Sequence, residues 1–111
     1  MKIRLSDYFK VDDIREPRTL TIRDFKTEEF GKRGEDKQQK LVVLFEEDER
    51  GVVMPLRGVA IKGLAKALGL KESNGELELG EAKGRKVELY VDENVSFEGR
   101  LVGGLRFRAV K

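Results

Sequence analysis

Four residues in the last quarter of the chain, Lys86, Tyr90, Arg106 and Arg108, combine the side-chain types that hold a nucleic-acid strand. Cations neutralise phosphates, and an aromatic ring offers a face on which a base stacks without regard to its identity. Arginine suits this chemistry best, because its planar fork grips phosphate and also stacks. The spacing places them together. Val87, Leu89 and Val91 alternate with Lys86, Glu88 and Tyr90, and Leu105, Phe107 and Ala109 alternate with Arg106 and Arg108. A period of two predicts two strands, each with one apolar face for a core and one face of cations plus an aromatic. The same residues also suit a plain solvated sheet face, with Glu88 bridging to an arginine across the strands.

Two loops add candidates. Gly31–Gln39 carries Lys32, Arg33 and Lys37 among glycines, and Asp92–Gly104 carries Arg100 and Phe97. A glycine-flanked basic tip can close on a ligand, although Glu35 and Asp36 dilute the charge of the first loop. Phe97 fits a core position better than a stacking platform.

Other chemistries find little footing. The chain has no cysteine and no histidine, so thiolate zinc sites, disulfides and the commonest general base are absent. Glu46, Glu47, Asp48 and Glu49 are adjacent acids in a tight turn, which cannot all converge on one cation, and no calcium-loop spacing surrounds them. Glu81-Ala82-Lys83 matches a short nuclease fragment but lacks a well-placed aspartate on a neighbouring strand. Ser6, Ser73 and Ser96 have no nucleophile-elbow context, and Gly31-Lys32-Arg33-Gly34 lacks the P-loop spacing. The expectation is a non-catalytic protein with no cofactor and no bound metal.

The elements that must position the candidate face follow from the pattern of the 111 residues, a length that predicts one domain over 1–111. Leu5 to Ile14 has no clear period and reads as a helical turn or irregular lead-in that tucks Tyr8 and Phe9 onto the core. Pro17 stops any helix. Thr19 to Arg23 alternates as a strand with Leu20 and Ile22 inward, continuing, bent, to Phe30. Lys40-Leu41-Val42-Val43-Leu44-Phe45 is apolar enough for a strand covered in part on both faces. Val52-Val53-Met54 returns, and Pro55 ends it. Ile61, Leu64, Ala65 and Leu68 then follow a helical period, with Gly69 as the stop and a minor hairpin around Asn74-Gly75. That stripe lids the barrel, with a docking role as the lesser reading. The last strands lie near Lys86–Val91 and Leu105–Val110, and a short one at Val95–Phe97. The order β-β-β-α-β-β is that of a five-stranded OB-fold barrel with one helix, an all-β class. An SH3-like barrel and an α+β roll stay open.

Charge is mildly asymmetric. From Lys83 onward, seven Lys/Arg face four acids, a net of +3, whereas Met1 to Arg50 holds twelve cations and thirteen acids. Charged residues make up 40% of the chain, a proportion shared by heat-stable proteins and engineered surfaces, so it decides no source. No apolar run is long enough to span a membrane and the start lacks a signal-peptide core, so a cytoplasmic location is expected.

Taken in order, several segments resemble a family of small phage and prophage OB-fold proteins associated with replication and recombination genes. They are Thr19-Leu20-Thr21-Ile22 with Glu28-Glu29-Phe30-Gly31, Leu41 to Phe45, Gly51-Val52-Val53-Met54 with Leu64 to Gly69, and Gly84 to Tyr90 with Phe97-Glu98-Gly99 and Leu105 to Arg108. The chain departs from that pattern at Met54-Pro55-Leu56-Arg57-Gly58, where such proteins commonly carry Asn-x-Thr-Asn, and at Ala82, where they commonly carry tryptophan. The resemblance implies single-stranded DNA binding, with Lys86, Arg106 and Arg108 on phosphates, Tyr90 on a base, and Lys32, Arg33 and Arg100 closing the groove. RNA in place of DNA, assembly into a homo-oligomer, and contacts with replication or recombination proteins stay open. The alternative is an OB-fold protein–protein adaptor or assembly subunit that binds no nucleic acid, and a degenerate nuclease is a thin third reading. The weak net charge and the basic C-terminal residues favour the adaptor.

Overall fold

The computed structural model describes residues 8–30, 38–56, 58–97, 99–101 and 103–110, and for residues 59, 96, 97, 100 and 101 the backbone alone. Five antiparallel strands form one sheet in the order β3-β2-β1-β4-β7, with β1 at Arg18–Phe30, β2 at Gln38–Phe45, β3 at Val52–Pro55, β4 at Lys86–Asp92 and β7 at Gly104–Arg108. A small hairpin of β5 (Ser96–Phe97) and β6 (Arg100–Leu101) stands in the β4–β7 connection. One helix, α1 (Val59–Leu68), falls between β3 and β4, so the chain order matches the expected β-β-β-α-β-β.

β1 explains the curl of the sheet. Its first residues pair with β4, Arg18 against Leu89 to Thr21 against Lys86, and its later ones with β2, Ile22 against Phe45 to Phe30 against Gln38. Between Ile22 and Asp24 the register shifts, as at a bulge, which bends a strand and increases its twist. One strand thus serves both halves of the sheet, and Leu20, Ile22, Val43, Val87 and Leu89 are buried inside the fold. Val42 is completely buried too, although it points away from Leu41 and Val43. The double cover expected of this apolar run is therefore present.

The sheet does not close. Its hydrogen-bonded order ends at β3 on one side and β7 on the other, which corrects the expectation of a complete five-stranded barrel. β3 has only four residues, and its last, Pro55, has no N–H to give to a ladder. α1 packs mainly along β7 and touches β3, and its Leu64 and Leu68 enter the core. The helix thus covers the opening that closing hydrogen bonds would otherwise fill. Gly69, left-handed at φ 68°, ends it as its N–H and that of Leu70 turn back to Lys66 and Ala65. The Arg85 guanidinium donates to the Leu68 carbonyl at 2.5 Å, which satisfies one of the last free acceptors.

Three phenylalanines bind the layers. Phe9, Phe45 and Phe107 lie in sequence through the core, with ring centroids 6.2 Å and then 6.0 Å apart. The lead-in therefore packs as expected, through buried Phe9 and Ile14, with a short 3-10 turn at Val11–Asp13. Ala109, expected inward, is exposed and lies beyond the end of β7. Among the described residues no helix is long and apolar enough to cross a membrane.

Candidate nucleic-acid interface

β4 and β7 bring four of the predicted residues onto one face. The register sets Tyr90 opposite Arg106 and Glu88 opposite Arg108, the alternation that buries Val87, Leu89 and Phe107 on the reverse side. Arg108 reaches back across its pair and lays its guanidinium over the Tyr90 ring, 4.5 Å from the centroid. Its Nε and Nη2 donate to Glu88 Oε1 at 3.0 and 2.5 Å. A cation stacked on a ring and steered by a carboxylate is held in one orientation, with its outer edge in water.

Arg106 is arranged differently. Its Nη1 donates to the Leu105 carbonyl at 2.8 Å, and its Nε is buried without a hydrogen-bond partner among the described residues. A methyl at Gly104 would stand 3.1 Å from that Nη1, so Arg106 lies folded along its own strand. Lys86 is exposed on β4, and its charge helps to hold the Glu47 carboxyl below its usual range. Burial pushes that carboxyl up, but the hydroxyl and amide of Thr21, both donating at 2.7 Å, outweigh it. Lys32 and Arg33 lie outside the described residues. Arg100 sits on β6, with only its backbone described.

Beside the Tyr90–Arg108 stack opens a cleft of about 290 Å³. The lead-in forms its other wall, with Ile14, Arg15 and Pro17, so a second guanidinium faces the first; Glu16 and Glu93 balance the charge. Nothing in the pattern of residues 5–17 ties Arg15 to Tyr90, because that segment has no period. A second grouping also escaped the pattern. The Tyr8 and Phe30 rings meet edge to face at 5.7 Å, Lys40 Nζ stands 5.8 Å from the Phe30 centroid, and the Tyr8 hydroxyl donates to Glu28. Alternation alone cannot foresee it, because Tyr8 comes from outside the sheet.

The lead-in wall is pinned by ions. Asp48 accepts from the Arg50 amide, Nε and Nη2 at 2.9 to 3.1 Å and from Arg18 Nη1 at 3.4 Å, while Arg50 also pairs with Asp13 at 3.6 Å. Both guanidiniums lie against the Phe9 ring, at 4.3 Å for Arg50 and 5.4 Å for Arg18. Hydrogen bonding from Arg50, against the opposing effect of burial, lowers the Asp48 carboxyl from 3.8 to about 2. A depressed folded-state value stabilises the fold above pH 3.8, and that stabilisation disappears as pH falls from there toward about 2. Because the partners are partly solvated, the effect should be of order 1 kcal/mol. Thermal melts should show Asp48→Asn less stable than the parent at neutral pH and nearly equal to it at the acid end. A gap that persists there would assign the loss to packing.

Among the described residues no group of three or more carboxylates, cysteines or histidines is arranged to hold a metal ion. What fold and site define together is a small antiparallel-sheet protein with one covering helix and a stacked tyrosine–guanidinium pair beside a cleft. No protein-family model, no curated protein and no solved structure matches the chain.

Proposed function

We propose that this protein binds single-stranded nucleic acid, DNA of a phage-type replication or recombination system in the first instance, without catalysing a reaction on it. The observation that carries this reading is the Arg108–Tyr90 stack opening onto a cleft that also holds Arg15. A base can insert beside the planar pair while the two guanidiniums meet flanking phosphates, the combination that sequence-tolerant single-strand binders use. Lys86 extends the track along β4, and Lys32, Arg33 and Arg100 belong to the loops that would close over it. The resemblance to phage OB-fold proteins supports the same reading.

The test is fluorescence anisotropy of a labelled oligo-dT of about 30 nucleotides, long enough to exceed one OB-sized site. It is titrated at low and high salt and against a duplex of equal length. Tighter binding to the single strand, falling steeply with salt as counterions are released, is the expected result. No binding at low salt overturns it. One observation favours the adaptor instead: Glu88 and the Leu105 carbonyl already occupy donors of Arg108 and Arg106. Failure of the titration would leave that reading in place.

A further inference from the structure

On another part of the surface, the start of α1 and the Asn74-Gly75 hairpin enclose a groove of about 470 Å³. Its apolar lining is Leu56, Ile61, Leu77 and Leu79, and Leu56 is one of only two large hydrophobic residues exposed among those described, at 42%. The same groove is bordered by Lys62 and Glu72, both exposed. Neither forms an ion pair among the described residues, whereas Arg108, Arg50, Lys83 and Lys26 all have carboxylate partners. An apolar patch bordered by one unpaired cation and one unpaired anion is complementary to itself. A two-fold rotation sets leucines against leucines and exchanges the two charges, whereas a border of one sign would suit a partner of the opposite sign.

We propose that a second copy of this chain docks on this groove, giving a symmetric dimer in which Lys62 of each copy meets Glu72 of the other. The apolar contact removes Leu56 from water, and the paired charges set the register. The dimer is independent of the nucleic-acid reading, since none of the groove residues belongs to the Tyr90–Arg108 cleft.

Sedimentation velocity of the full chain, without nucleic acid, tests it over a concentration series from about 1 to 200 μM, spanning the range of weak to moderate homodimers. The parent should pass from monomer to dimer. Lys62→Glu alone, or Glu72→Lys alone, places like charges together twice and should raise the dissociation constant at least about tenfold. A mixture of the two variants should form a heterodimer close to the parent in affinity, because every pair is then of opposite sign. Both positions are exposed, and circular dichroism checks that the variants fold. A parent that stays monomeric at the highest concentration overturns the proposal. So does a dimer indifferent to the single charge reversals, or a mixture that associates no better than the variants alone.

Discussion

Phe107→Ala should lower the free energy of unfolding by about 3–5 kcal/mol, the usual loss when a buried phenylalanine is truncated to alanine. Phe107 is 3% exposed, its ring sits 6.0 Å from that of Phe45, and its strand is the one that α1 mainly packs against. The sheet has no hydrogen bonds between β3 and β7, so side-chain packing of the helix holds those edges together. A cavity there removes contacts from β7, from α1 and from the Phe9–Phe45 chain at once, and the site can collapse only if the helix moves. Urea denaturation reads the effect as a shift in midpoint at constant slope. Val110→Ala, at a position 41% exposed, is the control and should change stability by less than about 0.5 kcal/mol. A loss below about 1 kcal/mol for Phe107→Ala would mean that the opening is held by something other than this packing.

Arg108→Glu should weaken oligo-dT binding by about 10- to 100-fold, the loss of one stacked, phosphate-facing cation and its replacement by a carboxylate beside Glu88. The ion pair it breaks has an arginine side chain 46% exposed, so the variant should remain folded. Glu88→Gln supplies the contrasting sign. Removing the carboxylate frees the guanidinium edge for phosphate and deletes one negative charge from the face, so affinity should rise a few-fold while stability falls by no more than about 1 kcal/mol. Anisotropy at a single low salt concentration reads both. If the two variants bind as the parent does, the pair belongs only to a solvated sheet face. If Glu88→Gln weakens binding as much as Arg108→Glu, the carboxylate acts by holding the guanidinium over Tyr90, and its negative charge is no obstacle to the strand.

Much of the scaffold was legible because each element announces its period. Val87, Leu89 and Phe107 are buried as alternation requires, and Leu64, Ala65 and Leu68 are buried on one side of α1 as the helical spacing requires. Gly69 stops the helix, and Asn74-Gly75 turns a two-residue hairpin whose flanking Ser73 and Glu76 exchange backbone bonds at 2.9 Å. The cross-strand neighbourhood of Tyr90, Arg106 and Arg108 was legible for the same reason. These are local properties, set by side-chain direction and by backbone preference within a few residues.

What the local pattern could not carry is contact between segments far apart in the chain. Arg15 faces Tyr90 only because Phe9 and Ile14 anchor the lead-in and Asp48 grips Arg50 and Arg18. Closure of the sheet depended on whether a four-residue β3 ending in proline could reach β7, and α1 covers that opening instead. The partners of the cations were likewise open, since an arginine of period-two spacing can reach a carboxylate, a carbonyl or solvent with equal ease. The sequence by itself therefore determined the strands, the helix and the face that carries the charges. Only the tertiary structure decided which charges are paired and where a cleft opens, because both depend on long side chains meeting across segments that no short-range period relates.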